Sequence, residues 1–291
     1  MGCKFCRKKG YERINYLAPE EKEIVLKDYS SPNDSLLNII ESTYNYFTQV
    51  QLIDFVNLLE QFSIETSEII TDEPMHSNFS STDEFLFQSL TFEEFMNFIN
   101  NKILILDDLS DSLKENNITI FKQFCKEMYK ALESKLKEHY KDDISNLIKK
   151  RNILALGILF CVCENIEKIK LLFDILNNNK DPKEFCKSKE LDDFLITLFL
   201  LGSYCVIISR YNIPNEKNEI KKLEKDEVLN LLKTSELVNC EKLVEKFNND
   251  FFKQESYNWD GFKKKFEDID DGFGWLLSSK GIRRKLEESL E

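Results

Sequence analysis

The stretch Lys170-Leu171-Leu172-Phe173-Asp174-Ile175-Leu176-Asn177-Asn178-Asn179-Lys180-Asp181-Pro182 runs an apolar helical stripe into a turn dense in side-chain oxygens, and Lys189-Glu190-Leu191-Asp192-Asp193-Phe194-Leu195 resumes the stripe beyond it. Apolar residues at i, i+3, i+4 and i+7 mark one buried face of a helix. Clusters of Asn, Asp and Ser break such a pattern, because their side chains compete for backbone hydrogen bonds. The same grammar recurs outward in both directions. Toward the N-terminus, Leu52-Ile53-x-x-Val56-x-x-Leu59 and Phe92-x-x-Phe95-x-x-Phe98-Ile99 are stripes separated by a polar gap around Pro74, His76 and Ser80-Ser81. Toward the C-terminus, Phe247 to Phe266 reads again as helix, turn and helix, with Tyr257-Asn258-Trp259 in the middle. Strict strand-type alternation is nearly absent, so the expected fold class is all-α.

Composition agrees. The chain of 291 residues holds 8 Gly and 5 Pro against 23 Phe, too few turn residues for sandwiches, propellers, doubly wound sheets or barrels. Lys and Arg number 40 and Asp and Glu 52, a net charge of −12, which disfavours a broad nucleic-acid footprint. No Gly-rich phosphate loop, no His-Glu-x-x-His and no Gly-x-Ser-x-Gly occurs, and His76 and His139 stand apart, so the chain is not expected to be an enzyme. The apolar runs Asn152 to Cys163 and Phe194 to Ile208 read as core helices, shorter than the roughly 18–20 residues a spanning helix needs. Six of the eight cysteines lie in helical or apolar surroundings and read as core.

An entering helix with Phe four residues before the turn, oxygens at alternate turn positions and an exiting helix that opens acid-apolar-x-x-apolar is the pattern of an EF-hand. There, loop positions 1, 3 and 5 and a bidentate carboxylate at position 12 converge on one Ca2+. Counted from Asn177, those first positions are Asn177, Asn179 and Asp181, but position 6 is Pro182 instead of Gly and position 12 is Ser188. The nearest carboxylate, Glu190, comes two residues late, so the set Asn177, Asn179, Asp181 and Glu190 is expected to bind Ca2+ weakly or only as a vestige. Asp83 to Glu94 frames a second such loop, with Phe85 and Phe87 where oxygens belong and Gln88 at the Gly position. Asp250 to Gly261 frames a third, with Gly261 in place of the carboxylate, and both are expected to be metal-free. Together these decayed units resemble the neuronal calcium sensor and calcineurin-B-like proteins, and the EF-hand-like region of myristoylated TLD proteins. The resemblance covers roughly Leu17–Asn101 and Ile153–Lys285. It implies EF-hand-like helix-loop-helix pairs in two lobes, with an apolar groove that grips a partner's amphipathic helix.

The opening Met1-Gly2-Cys3-Lys4-Phe5-Cys6-Arg7-Lys8-Lys9 presents Gly2 as a myristoyl acceptor and Cys3 and Cys6 as palmitoyl acceptors beside a basic run. It resembles the Met-Gly-Cys openings of dually acylated signalling proteins, although Cys6 replaces the usual Ser or Thr. One myristoyl chain binds membranes with K on the order of 10⁴ M⁻¹, so a second acyl group or basic patch is required for stable attachment. The expected organisation is an acylated basic tail over 1–16, an EF-hand-like lobe over 17–106, a linker and insertion helix over 107–151, and a second EF-hand-like lobe over 152–291. The expected function is a membrane-tethered adaptor that binds a partner protein through an apolar groove, at the cytoplasmic face of a membrane. The alternative is a structural helical subunit of a larger cytoskeletal or organellar assembly.

Overall fold

The computed structural model describes residues 46–70, 89–106, 115–141, 148–177, 184–212, 225–267 and 272–289, which are mostly helical. Helix α1, Leu52–Ile70, buries Leu52, Phe55, Val56, Leu59 and Phe62, the stripe its periodicity predicts. Helix α2, Phe92–Phe98, starts at a capping box: the Glu94 N–H donates to the Thr91 hydroxyl at 3.2 Å, and the Thr91 N–H donates to the Glu94 carboxylate at 2.8 Å. It runs on as a π turn over Ile99–Ile103. Helix α3, Glu115–His139, buries Phe121, Phe124, Cys125, Met128, Leu132 and Leu136 along one side. Helix α4, Lys150–Phe160, is buried all round, as a helix at the centre of a core must be.

Next come α5, Asn165–Asn177, and the two-residue strand β1, Phe185–Cys186. Helix α6, Lys189–Leu200, is capped by Ser188 and continues through a π turn, Leu201–Cys205, into α7, Val206–Tyr211. Then follow α8, Lys225–Thr234; α9, Leu237–Phe251; strand β2, Ser256–Tyr257; α10, Trp259–Glu267; and α11, Ser279–Glu288.

Two short antiparallel pairings tie these helices together. The first lies just before α2 and α4. The loop ends meet at an antiparallel bridge, Ser89 with Lys149, where the Leu90 N–H donates to the Ile148 carbonyl at 2.7 Å. In the second, β1 and β2 pair antiparallel, Phe185 opposite Tyr257 and Cys186 opposite Ser256. Helix packing follows the same rule twice. α1 lies on α4 and α2 on α3; α5 lies on α10 and α6 on α9.

Within the segment expected as a linker and insertion, 107–151, α3 packs on α2 and Lys149 is bridged to Ser89. Nor does the core break between two lobes: Phe47, Phe121, Phe199 and Phe251 belong to one buried cluster. The rod α6–α7 joins the halves, packing on α4 and α9 and laying its π turn and α7 along α3. The stretch Lys189–Ser209 is long and apolar enough to cross a membrane, with mean hydropathy 1.9, yet 83% of its most apolar window is buried inside the protein. Its flanks make it longer than the uncharged run Phe194 to Ile208 suggests, and its burial is that of a core helix.

The π turn has a visible use. Widening the helix there frees the Gly202 carbonyl, which accepts a hydrogen bond from the buried guanidinium of Arg283 on α11 at 3.1 Å. A Cβ at Gly202 would come within 2.9 Å of Ile282 Cδ1, so the missing side chain lets α11 seat against the rod.

Candidate functional site

Of the site residues nominated from the sequence, Asn177 and Glu190 are among those described. Asn177 closes α5 and is 1% exposed. Its amide donates to the Phe173 carbonyl at 2.6 Å, one turn back on its own helix, and its Oδ1 is buried without a hydrogen-bond partner. Asn179 and Asp181 lie outside the described residues. Glu190 sits in the first turn of α6, exposed, after the Ser188 cap. A hard cation of this type takes six to eight oxygens. Among the described residues, no group of three or more His, Cys, Asp or Glu side chains converges in that way.

The other two loops spend their oxygens elsewhere. Glu94, at the position of a ligating carboxylate, is held by its capping box, accepting from both the N–H and the hydroxyl of Thr91 at 2.8 Å. Asp83, Phe85, Phe87 and Gln88 lie outside the described residues. After α9, the turn is closed by side chains of its own. The Tyr257 hydroxyl accepts from the Lys253 N–H at 3.1 Å and donates to the Phe251 carbonyl at 3.0 Å. Gln254 donates to the Ser256 carbonyl at 2.7 Å, and Ser256 donates across the strand pair to Glu184 at 2.7 Å. Asn258 Oδ1 accepts from the Gly261 N–H at 3.0 Å as the cap of α10. The Lys265 ammonium lies 4.9 Å from the centre of the Tyr257 ring and 5.6 Å from that of Phe251. A turn satisfied by a phenol, an amide and a cap, with an ammonium beside it, does not fit a divalent cation.

Beneath the strand pair is an aromatic floor. The Phe185 ring centre is 4.4 Å from Phe262, 5.5 Å from Phe251 and 5.8 Å from Phe252. Phe173 meets Trp259 edge-on at 5.5 Å. The loops are therefore joined by apolar packing under two residues of strand.

A titratable cluster lies where α3, α6 and α9 meet. His139, at the end of α3, places Nδ1 2.7 Å from Glu241 Oε1 on α9 and Nε2 3.7 Å from Asp193 Oδ1 on α6. The hydrogen bond to Asp193 raises the His139 pKa against the opposing effect of burial, with Glu241 adding to the rise. Burial pushes the Asp193 carboxyl up, but hydrogen bonds from His139 and Tyr140 outweigh it and hold the group below its ordinary value. Arg151, buried on α4, adds its charge to the same side. This is an ion-pair clamp across three helices. Among the described cysteines, Cys125, Cys161, Cys205 and Cys240 are buried, Cys163 and Cys186 partly so. Burial raises the thiols of the first four and pushes Cys163 up to about 12, which keeps them unreactive.

The lipidation residues Gly2, Cys3 and Cys6 lie outside the described residues. What sequence reasoning missed is the contact of Leu90 with Ile148, each an apolar residue one position before the N-cap of a helix segment, α2 and α4. Compared with known proteins, the chain matches no protein-family model, no curated protein and no solved structure at a significant level.

Proposed function

We propose that this chain is a membrane-tethered adaptor of EF-hand-like build, a binding module rather than an enzyme, in which Ca2+ binding is weak or lost. The observation that carries the reading is the repeated pair. Twice, two helix-loop-helix units join their loop ends antiparallel and cross entering with exiting helices, at Ser89 with Lys149 and at Phe185 with Tyr257. In EF-hand proteins that use this pairing, metal tightens the loops and opens an apolar surface to a partner helix. Here hydrogen bonds of Tyr257, Asn258 and Thr91 already close the loop ends, which favours a holder over a switch. The Met1-Gly2-Cys3 opening and the basic residues after Cys6 supply the tether, placing the adaptor at the cytoplasmic face of a membrane.

Two measurements test this. Cells expressing the full chain are fed an alkyne-bearing myristate analogue: wild type should incorporate label and sediment with membranes, and Gly2→Ala should do neither. Equal background label in both removes the tether. Calorimetric titration of the chain with Ca2+ should give no heat in the sensor range of roughly 10⁻⁷–10⁻⁵ M; binding in that range, lost in Asp181→Ala, would make the protein a sensor.

A further inference from the structure

A cleft of about 880 Å³ opens between α9, α10 and α11, and six cationic side chains line it against two acids, on a chain whose net charge is −12. Lys246 comes from α9, Lys253 from the turn after it, Lys264 and Lys265 from α10, and Arg284 and Lys285 from α11. Glu288 is shared by Arg284 at 3.2 Å and Lys285 at 3.0 Å, and so is already spent. Among the described residues, the Lys253 ammonium donates to the Asn249 carbonyl at 3.3 Å, and Lys246 and Lys264 make no ion pair. Asp250 is the other acid on the wall; Asp268, Asp270 and Asp271 lie outside the described residues. The buried rings of Phe247, Tyr257 and Trp275 form the apolar part of the lining.

Charged residues on a solvated helix face normally alternate in sign. Here three elements turn the same sign into one concave space, where low-dielectric walls concentrate the field. Bringing like charges together costs folding free energy, and with Asp250, Glu288 and the rings beside Lys265 set against six cations the lining keeps a net positive charge that nothing else among the described residues neutralises. An anion in the cleft would. A single carboxylate meets one such group, whereas ammonium groups on separate walls suit a compact ligand with several charges pointing apart. Lysine is a point-charge partner for phosphate, and the volume lies within the roughly 300–1,000 Å³ of small-molecule sites. We propose that this cleft binds a small molecule bearing two or more phosphate groups, supplied either as a free inositol polyphosphate or as the headgroup of a phosphorylated inositol lipid. The proposal stands on the cleft and does not depend on how the loops bind metal.

The test uses the full chain carrying Gly2→Ala, so that no acyl chain contributes. Inositol hexakisphosphate is titrated by calorimetry with Trp fluorescence in parallel, since Trp275 lines the site. Phosphatidylcholine vesicles with and without a bisphosphorylated phosphatidylinositol form the second arm. The comparison variant is Lys246→Glu with Lys264→Glu, and the control is Lys122→Glu with Lys130→Glu on α3, which changes net charge equally away from the cleft. Saturable binding is expected that the control keeps and the cleft variant weakens tenfold or more, the size of about one charge-assisted contact. Binding to the soluble ligand identifies a free polyphosphate. Binding confined to the phosphoinositide vesicles identifies the headgroup. Absence of binding in both arms overturns the proposal, as does equal weakening by the cleft and control variants, with circular dichroism showing all chains folded.

Discussion

Phe185→Ala strikes the point on which the second pair depends. The ring is 1% exposed, opposite Tyr257 in the strand pair, and stands within 6 Å of the ring centres of Phe251, Phe252 and Phe262. Truncating a buried Phe costs about 3–5 kcal/mol, because the transfer free energy of the ring is lost and the surrounding side chains only partly fill the void. Against a typical folding free energy of about 5–15 kcal/mol, that is about a fifth or more of the total. Equilibrium unfolding in urea, followed by far-UV circular dichroism and Trp fluorescence, reads the change. With m near 3 kcal/mol/M, the midpoint should fall by about 1–1.7 M. Ile105→Ala, at a residue 63% exposed, should shift it by no more than about 0.5 kcal/mol and calibrates the scale. A double-mutant cycle of Phe185 with Phe262 should return a coupling of about 0.5–1.5 kcal/mol, the usual worth of an aromatic pair beyond area. A loss below about 1 kcal/mol for Phe185→Ala, with m unchanged, would refute the reasoning, since a ring in that floor cannot be removed so cheaply.

Gly281→Ala should destabilise by more than an ordinary helix substitution, because its Cβ would lie 2.5 Å from the Trp275 carbonyl oxygen and 2.7 Å from Trp275 Cα, backbone atoms that cannot turn aside. Thermal unfolding should show a clear fall in Tm; an unchanged Tm would contradict the seating of α11. The His139 clamp predicts a pH profile. A raised His139 pKa means its contribution is complete below the ordinary value of 6.5 and disappears as pH rises through the folded value. A lowered Asp193 pKa means its contribution is complete above the ordinary 3.8 and disappears as pH falls through the folded value. The clamp therefore stabilises most between those limits. His139→Gln should remove part of the stability lost on going from mildly acidic to alkaline pH, read as Tm against pH. An identical profile for variant and wild type would show that the clamp contributes nothing.

The helices were legible because each keeps a stripe: Leu52, Phe55, Val56, Leu59 and Phe62 fall on one face at the helical period and are all buried. The break at Tyr257-Asn258-Trp259 between two helices was legible too, and Tyr257 lies in the strand pair there. The bridge of Ser89 with Lys149 was not: it joins stretches far apart in the chain, and no local signal in Ile148-Lys149-Lys150-Arg151 names its partner. Burial of Lys150 and Arg151 at 2% exposure contradicts the habit of their residue types and follows from α4 lying at the centre of the core. The basic cleft was hidden for a related reason: its cations come from three separate stretches of an acidic chain, and summed charge dilutes what folding concentrates.

The central claim is that the loops are paired by the chain itself and need no metal. Native-state amide hydrogen exchange at Leu90, whose N–H donates to the Ile148 carbonyl at 2.7 Å, tests it most directly. The account predicts slow exchange in the presence of a chelator and the same rate after Ca2+ is added. Fast exchange that becomes slow only with Ca2+ would contradict it.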